Sequence, residues 1–241
     1  MQKEAFDWIV NRRRSNRNFD PNVPVLDEVI ERSLRRAILS PNSSNMQLWE
    51  FHWIQSEEKK AKLTDYCLGQ GAARTAKQLV VFVTRQDLWK KRAQWNHTQI
   101  KEALGGREPG KLEKRGLDYY AKLMPLIYRK DWLGIATLLR RTISFFVGLK
   151  KPFYRASGTA DQRITVHKSC ALAAQTFMLS IAAEGFDSCP MEGFDRVRVR
   201  KLLGLPLGAE INMIIGVGLG TTAGIWGERK RVPFEEVVVR H

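Results

Sequence analysis

"ITVHKSCALAAQTFMLSIAAEG", Ile164 to Gly185, is the stretch on which the architecture turns. From Ile164 to Ala183 it contains no glycine or proline, and Lys168 is its only formal charge. Apolar residues fall on most sides of the helix it predicts, and such a helix must be buried. A sheet and a partner chain are two surfaces that can cover it. Gly185 stands at the C′ position, where a left-handed residue ends a helix.

Working outward, "LVVFVT" (79–84) is a short continuous apolar run of the kind that forms a buried strand, and "AEINMIIGVGLG" (209–220) is a second strong strand candidate. "LWEFHWI" (48–54), with Leu48, Phe51, Trp53 and Ile54 apolar, predicts a less regular strand. Residues 26–39 carry Leu26, Val29, Ile30, Leu34, Ala37 and Ile38 at helical spacing, and the run stops at Ser40-Pro41. Ser56 and Asp195 read as N-caps of short helices, the first with Glu57 and Glu58 behind it, and Gly204 reads as a stop. "DSCPMEGFD" (187–195) reads as a loop, and the tail "GIWGERKRVPFEEVVVR" (224–240) ends in a β-prone run. This order predicts an α+β fold, with residues 1–241 as one domain.

Composition narrows the classes. The chain has 241 residues, 44% hydrophobic, enough for a sizeable core. Its start, "MQKEAFDWIV", lacks the apolar run of a secretory signal. "WLGIATLLRRTISFFVGL" (132–149) is broken by Arg140 and Arg141, which argues against a membrane span. Cys67, Cys170 and Cys189 are far apart and odd in number, so they read as reduced thiols of a cytoplasmic protein. The histidines form no metal-ligand pattern.

The net charge is +15, and it is uneven. Residues 85–160 hold 17 Lys+Arg and 6 Asp+Glu, a net of 17 − 6 = +11. The segment 88–160 therefore reads as a basic, aromatic-rich helical insert. Four readings of it stay open: a lid over a site, solvated structural helices, a membrane-surface element, or a single-strand nucleic-acid platform. In the lid reading Trp89, Trp95, Tyr119, Tyr120, Tyr128 and Trp132 stack on aromatic ligands.

Candidate chemistry is sparse at first sight. "GVGLG" (216–220) is followed by no helical pattern, so its glycines point to close packing rather than dinucleotide binding. No GxSxG motif is present, and His52 and His167 read as structural. More informative are "RRRSNRNF" (12–19), "SPNSSNMQLW" (40–49) and "PMEGFD" (190–195), with the long helix between the last two. Singly, each reads equally as a basic or polar turn.

In this order the three stretches resemble the nitroreductase superfamily of FMN-dependent oxidoreductases, over residues 10–84 and 160–235. The resemblance implies a central, mostly antiparallel sheet flanked by helices, with the long helix at a homodimer interface. It implies that Arg13, Arg14 and Ser15 hold the FMN phosphate and ribityl groups, a task suited to guanidinium forks. Arg17 would face flavin N1 and O2. Pro41, Asn42, Ser43, Asn45 and Gln47 would serve the flavin of the other subunit. Leu48 departs from the family's proline there, which predicts a looser loop. The backbone of Pro190, Met191, Glu192 and Gly193 would underlie the ring, with an amide of Glu192 or Gly193 donating to N5. Arg229 and Arg231 would return to the phosphate, and Gln70 would reach the ring's pyrimidine edge.

The implied activity passes hydride from NADH or NADPH through flavin N5 to a nitroaromatic, quinone or similar acceptor, with no catalytic side chain. Relatives with other flavin reactions, such as reductive dehalogenation or flavin breakdown, give an alternative. The rival class is a non-enzymatic basic module for nucleic acid or anionic membrane. Composition permits that module, but the ordered motifs do not predict it.

Overall fold

The computed structural model describes residues 2–128, 134–156 and 158–241. In chain order the helices and strands are α1 (Gln2–Arg12), α2 (Asp27–Ala37), β1 (Trp49–Ile54), α3 (Glu57–Tyr66), α4 (Gly71–Arg74) and β2 (Gln78–Arg85). The basic segment follows with α5 (Trp89–Leu104), α6 (Lys111–Asp118), a wide helical turn over Tyr119–Leu123, α7 (Met124–Tyr128) and α8 (Ile135–Lys150). Then come α9 (Thr159–Ala183), β3 (Asp187–Met191), α10 (Arg196–Leu202), β4 (Ala209–Gly218) and α11 (Phe234–Val237).

The strands form one antiparallel sheet in the order β1-β2-β4-β3. Its two central strands are covered on both faces, which is why Leu79–Val83 of β2 and Met213–Val217 of β4 carry no charged residue. Leu79, Val81 and Val83 of β2 join Ile211 and Ile214 in a core that includes Leu63 of α3 and Val199 of α10. Val80 and Phe82 point the other way, into a core with Val29 and Ile30 of α2 and Phe177 and Ile181 of α9. A bulge between Phe82 and Val83 leaves Asn212 of β4 outside the register. Asn212 instead donates to the backbone carbonyl of His167, at 3.2 Å, and lies 3.1 Å from the same residue's Nδ1.

Local signals were largely sufficient. Ser56 Oγ caps α3 by accepting from Lys59 N, and Asp195 caps α10 by accepting from Val197 N and Arg198 N. Gly185 and Gly204 adopt φ of 85° and 61°, the left-handed geometry a helix stop requires. The glycines of "GVGLG" serve close packing: a Cβ at Gly216 would lie 2.5 Å from Ala72 O, and one at Gly218 would lie 2.6 Å from Phe19 Cβ.

Three expectations are corrected. Residues 187–191, read as loop, are an edge strand, because β4 offers them a partner and Pro190 needs no ladder donor there. The β-prone tail instead makes the helical turn α11 and then an exposed end, because it finds no strand edge among the described residues. The long helix begins at Thr159, where Asp161 accepts from Gly158 N at 3.0 Å.

A third cluster joins the basic segment to the rest. Met46 and Leu48 are buried with Ala93, Met124, Tyr128 and Val166. Leu48 is 3% exposed, so packing fixes the position where proline would have restrained φ.

Candidate functional site

The first motif runs antiparallel to the stretch after β4 and crosses the start of β3. Asn16 N donates to Ser188 O, Arg17 N to Gly224 O, and Asp20 N to Leu219 O, at 3.3, 2.9 and 2.8 Å. Asn16 is the buried centre of this zipper. Its Nδ2 donates to Thr221 O at 2.9 Å, and its Oδ1 accepts from Asn18 N at 3.1 Å. Only glycine fits around it: a Cβ on Gly224 would stand 1.7 Å from Asn16 Oδ1. Sequence reasoning missed Asn16, Gly220 and Gly224. Their signal, small residues facing a buried amide across about two hundred residues, is invisible in a linear pattern.

This zipper collects guanidinium groups from both ends of the chain. Arg229 Nη2 donates to the backbone carbonyls of Asn11 and Arg13 at 2.8 and 2.7 Å. Arg14 Nη2 reaches Gly227 O at 3.0 Å. Arg17 stacks its guanidinium 4.3 Å from the ring centroid of Trp226, a second residue that the motifs did not single out. Arg231 bonds only the carbonyl of its neighbour Lys230 among the described residues. Arg13 has no side-chain hydrogen bond there. Burial, then the charges of Arg229, Arg231 and Arg14, push its pKa below the ordinary arginine value. The Cys189 thiol acts on Arg13 in the opposite sense.

The third motif adjoins the same place. Burial raises the Cys189 thiol pKa, while Arg17 and Arg13 pull it the other way. Ser188, bridged to Ser15, has a buried Oγ without a hydrogen-bond partner. Pro190 and Met191 close β3, and Glu192 and Gly193 emerge into solvent. Gln70 Nε2 donates to Gly193 O at 2.5 Å and to Cys67 O at 3.0 Å, tying its loop to the third motif. The carbonyl of Arg17 lies where a Cβ on Gly71 would be, at 2.7 Å. The structure therefore gathers Arg13, Arg14, Ser15, Arg17, Gln70, residues 190–193, Arg229 and Arg231.

It does not bring Pro41, Asn42, Ser43, Asn45 and Gln47 to them. Ser43 N bonds Ser169 Oγ in the middle of α9, whereas Arg12 Nη2 bonds Gly185 O beyond its C-terminal end. At about 1.5 Å per residue those anchor points are roughly 24 Å apart along the helix. The distal loop is strained, with φ of 56°, 49° and 47° at Ser44, Asn45 and Gln47. Non-glycine residues hold such angles only where surroundings over-determine them, typically at functional sites. Here Asn42 Oδ1 accepts from Gln47 N at 2.8 Å, and Asn45 Nδ2 donates to Asn96 Oδ1 at 3.0 Å. Tyr120 Oη donates to Ser44 O at 3.0 Å, and Tyr119 Oη lies 2.6 Å from Ser44 Oγ.

The aromatic residues of the basic segment are thus partly committed. Tyr119 and Tyr120 clasp the loop, and Trp89 stacks on the buried Tyr128 at 6.3 Å. Trp132 lies outside the described residues. Beside the loop is a cavity of about 520 Å³, walled by Tyr119, Met124, Tyr128, Ile143 and Phe153, with Ser43 and Ser44 at its polar side.

His52 and His167 are structural in setting. Burial lowers both pKa values, and His167 sits against Asn212 and Glu210. No cluster of metal-ligating side chains occurs among the described residues. None of their helices is long and apolar enough to cross a membrane.

The model of the nitroreductase family matches residues 10–219. MhqN of Bacillus subtilis, named provisionally as an NAD(P)H nitroreductase, is 26% identical over 233 residues, covering 97% of each chain. The solved structure of the Bacillus subtilis nitroreductase ydfN covers 100% of both chains with a TM-score of 0.74 at 23% identity. A nitroreductase of Exiguobacterium sibiricum, solved in complex with FMN, covers 98% of this chain and 97% of its own at 22% identity, with a TM-score of 0.66.

Proposed function

The chain belongs to the nitroreductase family, and from that premise we propose that it is an FMN-dependent oxidoreductase using NADH or NADPH. The observation that carries the reading is the guanidinium cluster around Arg13, built from both chain ends. Such a cluster is unfavourable by itself and is relieved by a compact dianion. The unpartnered Ser188 Oγ beside Ser15 adds a polar group that a ligand would satisfy. These residues fit the phosphate end of FMN.

When bound, FMN supplies hydride transfer at N5. Arg13 and Arg231 hold its phosphate, with Arg14 and Ser15 toward the ribityl chain. Arg229, committed to backbone carbonyls, positions Arg13 and adds charge from behind. Arg17, steadied on Trp226, supplies positive charge toward N1 and O2, where reduction places negative charge. The backbone of residues 190–193 would support the ring, and the amide of the exposed Glu192 or Gly193 would be the donor offered to N5. Gln70 braces that segment through Gly193 O. No side-chain nucleophile is needed.

The protein works as a homodimer, and its 241 residues act as one unit. Within one chain the second motif is anchored on the middle of α9 and the first beyond its C-terminal end, so a complete site takes Asn42, Ser43, Asn45 and Gln47 from the second copy. The apolar cavity beside Ser43 and Ser44 suits a flat aromatic acceptor such as a nitroaromatic or quinone. The basic segment serves as the wall of that acceptor site.

The test is direct. Purified protein should be yellow, release FMN on denaturation, and consume NADH or NADPH when an aromatic acceptor is present. Light scattering should give a dimer mass. A colourless protein that neither binds added FMN nor oxidises nicotinamide would overturn the assignment. A monomeric mass at all concentrations would overturn the shared site.

A further inference from the structure

The cavity of about 520 Å³ beside the second motif is apolar over most of its wall, yet α8 and α9 bring polar side chains to it. Ser144 of α8 and Gln162 of α9 both line it, and they are only 4% and 7% exposed. Neither side chain donates to or accepts from another described residue, so both are left to whatever fills the space. Arg140, one helical turn before Ser144, lines the same cavity. Its Nη1 is engaged by Leu126 O and Ile127 O, at 2.8 and 3.0 Å, and its Nη2 by Thr137 Oγ1 at 3.1 Å. Its Nε is buried without a partner.

Buried polar groups left unbonded are costly, and three such side chains around one space mark the polar end of a ligand. Arg140 can only donate, and Ser144 and Gln162 can donate as well, so the complementary group is a pair of negatively charged oxygens. The surrounding charge has the same sense: residues 134–156 add Arg141, Lys150, Lys151 and Arg155 and hold no Asp or Glu. One lining cation matches a single negative charge, whereas the cluster of Arg13, Arg14, Arg229 and Arg231 suits a dianion. Tyr119, Tyr128 and Phe153 in the same wall fit a flat ring.

We propose that this cavity takes a flat aromatic carboxylate, its ring against the aromatic wall and its carboxylate on Arg140, Ser144 and Gln162. The inference rests on the reading of the cavity as the acceptor site, and it narrows that site's substrate class to aromatics carrying an acid group.

The experiment is calorimetric titration of the full-length protein, saturated with FMN, with 2-naphthoate and with the neutral 2-naphthamide. A charge-assisted hydrogen bond is worth roughly tenfold or more in affinity, so naphthoate should bind at least about tenfold tighter than the amide. S144A/Q162L should lower naphthoate affinity by at least about tenfold and keep its flavin. Its melting temperature should equal or exceed the parent's, because no hydrogen bond within the protein is lost; a structural role for these groups would lower it. If the double variant does not fold, Ser144→Ala alone carries the test. Absent naphthoate binding would overturn the inference, as would equal affinity for the two ligands or unchanged naphthoate affinity in the folded variant. Repeating the titration without FMN keeps the two claims apart. A protein that takes no flavin yet prefers naphthoate refutes the flavin reading alone, and one that binds FMN without that preference refutes this inference alone.

Discussion

Arg13 offers a perturbation whose effects should run in opposite directions with and without ligand. In Arg13→Gln the backbone carbonyl that accepts from Arg229 at 2.7 Å is kept, so the strap between the chain ends survives. What is lost is one half-buried cation whose neighbours are Arg229, Arg231 and Arg14. Without an anion that charge is disfavoured, so the apoprotein should melt at an equal or higher temperature. With FMN present, the loss removes at least one charge-assisted phosphate bond, worth about 1.5–3 kcal/mol. Affinity should therefore fall roughly 10- to 150-fold. Titration of apoprotein with FMN, read by quenching of flavin fluorescence and repeated calorimetrically, measures the loss. Thermal melts of the same samples without flavin measure the other half. Unchanged affinity, or an apoprotein that melts at a lower temperature, would refute the idea that this cluster exists for a phosphate.

Other outcomes follow from the same geometry. Gly224→Ala drives a Cβ into Asn16 Oδ1 and should destabilise by about 1–3 kcal/mol or more, with flavin loss, in urea titration. Asn16→Ala leaves Thr221 O without its donor and should cost about 1–3 kcal/mol in the same assay. Tyr119→Phe removes the partner of Ser44 Oγ and should raise KM for an aromatic acceptor severalfold, while flavin content stays unchanged. Acid should weaken the fold in two stages. The His167 pKa is held below its ordinary 6.5 chiefly by burial, so its contribution is complete above that pH and fades as pH falls through the lower folded value. The Glu210 pKa is held below 4.5 first by its hydrogen bonds to Arg163, so its contribution is lost later, at more acidic pH. Melting temperatures across that range should show both stages, and Glu210→Gln should abolish the second.

Much of this protein was determined by the sequence alone, wherever the deciding physics is local. Caps at Ser56 and Asp195, stops at Gly185 and Gly204, and the apolar runs of β2 and β4 depend on neighbours a few residues away or on burial of a whole strand. The crowding of Arg12, Arg13, Arg14 and Arg17 into six positions was visible in the sequence, but the pattern alone left a solvated basic turn open. Long-range partnership was not legible. Residues 187–191 carry turn chemistry and become a strand only because β4 lies beside them. Leu48 looked like a lost restraint until the third core buried it. Asn16 gave no signal, because a buried amide is recognised by what it bonds, and Thr221 and Gly224 are far along the chain. The separation of the second motif from the first likewise belongs to tertiary structure, since it is set by the length of the helix that carries both.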